Sequence, residues 1–350
     1  MSSAGRENIP VGAMFELTHR CNLRCAHCYL HCYDGGGELA TPEWLRAIDE
    51  LAALGGLWLS FTGGEIFLRS DVFDLIARAR QKGFALKLLT NGLLLDDASI
   101  ARLADLWPSD VHISVYAACP EIHDGVTGMQ GSWEQTVAAI RGLCGRGLHV
   151  TVKTPVMSCN FRQIEQLQRL ADDLGAVLRL DTDIVPGNDG SVSPLVHRLN
   201  DEELVEVFRT PHLAYRALPE ASDASGLDSD LCGAARRTLS ISPVGEVQPC
   251  ISNPVSAGNI REDSLADIWW RSPLMLRYRG LRVADLAGEC VNCEHRAYCG
   301  RCSAMAALED GDYLGPSRWA CRVSVARRRA AAEPAERVAG DALSPERRNA

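Results

Sequence analysis

The densest chemistry in the chain is Cys21-Asn22-Leu23-Arg24-Cys25-Ala26-His27-Cys28, which puts three thiols within eight residues. Thiolates are soft donors that select zinc, copper(I) or iron–sulfur clusters, and three so close along the chain can wrap one centre. The count decides what the centre can do. A closed structural zinc site takes four ligands, so zinc would need His19, His27 or His31 as the fourth. A [4Fe–4S] cluster held by three cysteines instead leaves one iron open to another ligand.

Seven further cysteines lie in the C-terminal third: Cys232, Cys250, Cys290, Cys293, Cys299, Cys302 and Cys321. A zinc ribbon is one reading of Cys290–Cys302. Cys32, Cys119, Cys144 and Cys159 read as ordinary loop or buried thiols. Fourteen cysteines in a chain whose N-terminus is polar point to metal or redox chemistry, because a reducing compartment disfavours disulfides. No apolar h-region opens the sequence and no run approaches the ~18 apolar residues of a membrane span, so a cytoplasmic protein with no membrane partner is expected. Hydrophobic content of 46% over 350 residues is enough for a large core, with or without a second small domain. The net charge of −9 argues against nucleic acid as a main partner.

The elements that must position these thiols alternate. A strand near Ala13–Leu17 precedes the cysteine stretch. Thr41-Pro42-Glu43 opens a helix that stops at Gly55-Gly56, and Leu57–Thr62 then reads as a buried strand closed by Gly63-Gly64. Helices at 71–82, 97–106, 132–145 and 162–174 separate strands at 84–90, 111–116, 148–153 and 177–181. Six strands joined by helices demand a parallel sheet with right-handed crossovers. In such a sheet the chemistry belongs at the carboxyl ends of the strands, where Cys21–Cys28, Gly63-Gly64-Glu65, Thr90-Asn91-Gly92 and Ser114 all fall. Past Pro186 the pattern breaks; 201–209 is a short helix, and a hairpin signal runs from Leu239 to Cys250. The division expected is a core at 1–190, a bridging region at 191–230, a cysteine-rich domain at 231–325 and a frayed tail at 326–350.

Cys-x3-Cys-x2-Cys after a first strand, followed by Gly-Gly-Glu after a second, resembles the radical S-adenosylmethionine (radical SAM) superfamily over roughly residues 11–186. The resemblance implies a partial (βα)6 barrel of TIM-like form, in the α/β class. It also implies a [4Fe–4S] cluster on Cys21, Cys25 and Cys28, and reductive cleavage of S-adenosylmethionine to a 5′-deoxyadenosyl radical. Gly63, Gly64 and Glu65 would approach the methionyl group, since glycine lets backbone come close. By position at strand ends, Asn91, Ser114 and Lys153 are further candidates for contacting S-adenosylmethionine.

Cys232, then Gly245-x4-Cys250, then Cys290-x2-Cys293-x5-Cys299-x2-Cys302 and Cys321, resembles the SPASM extension of radical SAM maturases. By that resemblance Cys290, Cys293, Cys299 and Cys321 hold one closed auxiliary [4Fe–4S] cluster, and Cys232, Cys250 and Cys302 hold another. The second set has an open iron or takes Asp228 or Asp230, and one auxiliary cluster rather than two is the other possibility. The gap Gly300-Arg301 is one residue shorter than usual, which puts the reach of Cys302 in question. The activity implied is modification of a ribosomally made peptide or a protein side chain. Its partners would be an external low-potential electron donor of flavodoxin or ferredoxin type and a separate leader-peptide-binding protein, as only about ten residues precede the first strand. Two alternatives stand: a tetrapyrrole side-chain-modifying relative in haem or haem-like cofactor synthesis, and a non-catalytic zinc protein.

Overall fold

The computed structural model describes residues 8–30, 36–213 and 226–332; His31 and Cys32 lie outside these. Strand β1 (Gly12–Thr18) starts the sheet, and the chain then alternates through α1 (Thr41–Ala53), β2 (Trp58–Gly63), α2 (Val72–Gln81), β3 (Ala85–Thr90), α3 (Asp97–Leu106) and β4 (Asp110–Ser114). Two helices, α4 (Pro120–Thr127) and α5 (Ser132–Gly145), lead to β5 (Val150–Pro155). The repeat closes with α6 (Ile164–Leu174) and β6 (Val177–Asp181). Every pairing among β1–β6 is parallel and between neighbours in sequence. The sheet is therefore the open (βα)6 barrel that strand–helix alternation requires.

Local chemistry sets the helix ends. Glu43 Oε2 accepts the Ala40 N–H at 2.7 Å before α1, and Asp96 Oδ1 accepts Ser99 N–H at 2.8 Å before α3. Alternation along the strands divides two faces. Phe15, Leu17, Leu59, Phe61, Leu86, Leu88, Val111 and Ile113 are buried against the helices. Met14, Glu16, Thr62, Leu89, His112, Ser114 and Lys153 line the cavities of the concave face.

The cysteine-rich region does not form a lobe with its own sheet. After α7 (Asp201–Arg209), strand β7 (Thr238–Ile241) pairs in parallel with β1, from Gly12↔Thr238 to Phe15↔Ile241. Antiparallel β8 (Glu246–Gln248) and β9 (Gly258–Asn259) extend the same sheet, giving the order β6-β5-β4-β3-β2-β1-β7-β8-β9. The predicted hairpin is thus an extension of the barrel edge. Its Leu239, Ile241 and Val247, with Ile268 and Trp269 of α8 (Leu265–Arg271), share one hydrophobic core with Phe15 and Trp44. Beyond α9 (Pro273–Gly280) and the short α10 (Gly288–Val291) come α11 (Ser303–Asp310) and α12 (Arg318–Ala332). Helix α12 continues past residue 326, burying Ala326 and Ala330 in a second core with Leu204 and Phe208 of α7. No helix among the described residues is long and apolar enough to cross a membrane.

Candidate active site and auxiliary metal centres

The cysteine loop leaves β1 under tight control. Glu38 Oε1 accepts both Thr18 Oγ1 (2.6 Å) and His19 N–H (2.9 Å). Behind it the buried Arg69 donates to the carbonyls of Leu17 and Leu39 and pairs with Asp71 at 2.7 Å. On the next strand, Gly64 N–H donates to Thr18 O (2.7 Å) and Glu65 N–H to Arg20 O (2.8 Å). A Cβ on Gly63 would sit 2.3 Å from Thr18 O, and one on Gly64 2.2 Å from Arg20 O. Gly63 also has φ +123°, a conformation left to glycine. The glycine pair therefore lets the end of β2 dock onto the cysteine loop itself.

Glu65 is fully buried. Its carboxylate accepts Thr90 Oγ1 (2.8 Å), Phe67 N–H (3.1 Å) and Asn91 N–H (2.8 Å), tying the ends of β2 and β3 together. Burial pushes its pKa up against those three hydrogen bonds. Asn91 is held in turn: its Nδ2 donates to Asn22 Oδ1 of the cysteine loop at 2.7 Å, and its Oδ1 accepts Leu93 N–H. The far side of the loop hangs on α4, through Arg24 N–H to Thr127 O (3.2 Å) and Ala26 N–H to Val126 O (2.9 Å). Asp124 caps the following helix, accepting Gly131 N–H, Ser132 Oγ and Trp133 N–H.

Between these walls lies a cavity of about 290 Å³, lined by Cys21, Cys25 and Cys28 with Gly63, Gly64, Asn91, Ser114 and Tyr116. Three soft thiols on a space far larger than one ion suit a multi-iron cluster with room for a ligand beside it. Leu23 N–H donates to Cys21 Sγ at 3.4 Å, and Tyr116 Oη to Cys25 Sγ at 3.6 Å. Burial pushes the Cys25 thiol up to about 12; the Tyr116 hydrogen bond pulls it back, and Cys28 and Cys21 add to the rise. Burial also lowers His27 to about 4, with His197 adding to that effect, and its Nδ1 finds no partner. Lys153 lines an adjoining cavity of about 180 Å³ with His112, Asp181 and Asp183, reached past Ser114 and Tyr116.

A third chamber, of about 300 Å³, shares Tyr29, Thr62, Leu89 and Val185 with the thiol cavity. Its opposite wall is Ile251 and Ser252, directly after Cys250, and Met305 and Leu308 of α11. Glu16 projects into it, 5% exposed, accepting Tyr29 Oη at 2.6 Å, and burial raises its pKa. No lysine or arginine lines this chamber among the described residues. An acid inside the apolar strand Met14-Phe15-Glu16-Leu17 was the sequence signal for it, since a buried charge needs a reason.

Cys290, Cys293, Cys299 and Cys321 line one cavity of about 330 Å³. Arg301, which lines the same cavity, is held by the carbonyls of Tyr313 and Gly315. Four thiols around such a space fit a closed cluster. Cys232, Cys250 and Cys302 form the other set. Burial pushes the Cys250 thiol up to about 11, with Cys302, which precedes α11, and Cys232 adding to the rise. Asp230 is engaged by Arg236 (3.0 Å) and Arg282 (3.5 Å), and Asp228 is exposed.

Comparison with known proteins agrees with this arrangement. The family model of the Radical SAM superfamily matches residues 15–171, and that of the iron-sulfur cluster-binding domain SPASM matches 232–303. The AdoMet-dependent heme synthase of Methanosarcina barkeri is 30% identical over 334 residues, covering 88% of this chain and 95% of that protein. The PqqA peptide cyclase of Granulibacter bethesdensis is 32% identical over 337 residues, covering 91% and 88%. Among solved structures, Streptococcus suis SuiB bound to S-adenosylmethionine superposes with a TM-score of 0.71 at 17% identity, covering 89% of this chain and 77% of SuiB.

Proposed function

From the premise that this chain belongs to the radical SAM superfamily and carries a SPASM domain, we propose that it modifies a peptide or a protein side chain. A [4Fe–4S] cluster on three thiolates supplies one low-potential electron that splits S-adenosylmethionine and yields a hydrogen-abstracting 5′-deoxyadenosyl radical. Cys21, Cys25 and Cys28 are assigned to hold it. The Glu65 and Asn91 contacts fix the loop that carries them, and the walls of the 290 Å³ cavity exclude water from the reacting atoms. Cys290, Cys293, Cys299 and Cys321 are assigned to a second cluster, and Cys232, Cys250 and Cys302 to a third. An external one-electron donor of low potential completes the system.

The observation that carries the substrate class is the chamber between the Cys21–Cys28 site and Cys250. It is mostly apolar, holds one buried acid, and its described lining includes His19 but no lysine or arginine. Tetrapyrrole substrates of haem synthesis carry several carboxylates, which need cationic partners when buried; a peptide side chain does not. Similarity to the heme synthase of Methanosarcina barkeri favours tetrapyrrole side-chain chemistry as the second reading. Anaerobically reconstituted protein, given S-adenosylmethionine and reductant, is to be incubated with synthetic precursor peptides encoded beside its gene, and separately with a porphyrin carrying propionate side chains. Mass loss or gain on a peptide, coupled to 5′-deoxyadenosine, supports the proposal; turnover of the porphyrin alone refutes it.

A further inference from the structure

Tyr116 follows β4 directly and is 6% exposed. Its ring lies edge-on to His27 (4.8 Å between centroids) and 5.3 Å from His123, within a small apolar cluster of Val126, Met157, Ile184 and Cys25. Its backbone is pinned from both sides: its N–H donates to His123 Nδ1 at 3.2 Å, and its carbonyl accepts Asn160 Nδ2 at 2.8 Å. The side chain therefore has little freedom. Its hydroxyl donates to Cys25 Sγ at 3.6 Å.

We propose that Tyr116 sets how readily the Cys21–Cys25–Cys28 centre accepts an electron, by donating a hydrogen bond to the Cys25 sulfur. This rests on the reading that those three cysteines hold a redox-active cluster. Uptake of one electron from an external low-potential donor adds one negative charge beside a water-poor wall. A donor aimed at a ligating sulfur stabilises the reduced form more than the oxidised form and raises the potential. No bond forms or breaks in this step, and the hydroxyl keeps its proton. Tyr116 is thus a positioning residue acting through a thiolate.

The test is a mediated redox titration of the full-length reconstituted protein, followed by electron paramagnetic resonance on the signal that changes shape when S-adenosylmethionine is added. Tyr116→Phe keeps the ring between the histidines. Its reduction equilibrium is expected to be about tenfold less favourable, a midpoint about 59 mV lower for one electron. 3-Fluorotyrosine at position 116, a more acidic donor, moves it the opposite way. An unchanged or higher midpoint in Tyr116→Phe, with the S-adenosylmethionine-responsive signal intact, overturns the proposal. Should Tyr116→Phe fail to fold by circular dichroism, the fluorotyrosine protein decides by the sign of its shift. Absence of any responsive signal in the unmodified protein overturns the cluster reading itself.

Discussion

The thiols at the barrel rim and the four-thiol set near the C-terminus are built on opposite principles. The rim loop is a product of the protein fold. Its backbone is tied to Thr127, Val126, Glu38 and the Gly63-Gly64 turn, and Leu23 and Leu30 of the loop are buried. Residues 281–302, which carry Cys290, Cys293 and Cys299, contain no fully buried side chain. Their thiols instead surround a space of about 330 Å³ with Cys321 on α12. A segment with no core of its own must draw its order from what it binds, and metal-binding free energy there becomes folding free energy. On the proposed assignment, the rim is arranged in advance to leave a coordination position open, and the C-terminal set is closed by its metal.

The sharpest break between the two is genetic. Cys25→Ala is expected to reduce 5′-deoxyadenosine formation by at least about 1,000-fold while shifting the melting temperature little, because the loop is held by protein contacts. Cys293→Ala is expected to retain reductive cleavage, within about tenfold, and to lose turnover on substrate. Chromatographic assay of 5′-deoxyadenosine and a melting curve check both. Next in size is metal removal. Chelation is expected to raise amide hydrogen exchange across 281–302 by roughly two orders of magnitude and to leave residues 14–30 nearly as protected as before. Equal loss of protection in both segments would erase the distinction.

Smaller effects probe how the rim is held. Glu65→Ala leaves Asn91 N–H and Thr90 Oγ1 without their acceptor, at a cost of about 3 kcal/mol by denaturant unfolding. Loss of the wild-type loop geometry should lower cluster occupancy as well. Glu16 gives the smallest signal. Burial raises its folded pKa above the unfolded value, so its ionisation weakens the fold as pH rises from the unfolded pKa through the folded one. Glu16→Gln still accepts from Tyr29, and its stability relative to wild type should improve from pH 5 to pH 8. A difference independent of pH would place the Glu16 charge in solvent.

Much of this was legible in the chain. Helices 97–106 and 132–145 and the strand 177–181 lie where periodicity put them, because strong apolar repeats and turn residues mark their ends. The spacing of Cys21, Cys25 and Cys28 marked the rim. What stayed hidden depends on contacts distant in sequence. Helix α4 reads as Pro-Glu-Ile-His-Asp-Gly-Val-Thr, too polar and glycine-marked to declare itself, yet Val126 and Thr127 anchor the cysteine loop. The pairing of β7 with β1 crosses more than 200 residues and has no local signature. Gly63-Gly64 signalled a close backbone approach, but only the structure identifies Thr18 and Arg20 as what approaches. Nothing local in the sequence marks Tyr116, whose hydroxyl lies on Cys25.

The central claim is that S-adenosylmethionine binds the cluster on the rim thiols and not an auxiliary one. Electron–nuclear double resonance of the reduced protein, with S-adenosylmethionine carrying ¹⁵N at its methionyl amine, tests this directly. A nitrogen coupling in the wild-type and Cys293→Ala proteins, absent from Cys25→Ala, is the predicted result. A coupling that survives in Cys25→Ala would place S-adenosylmethionine on an auxiliary cluster and contradict the account.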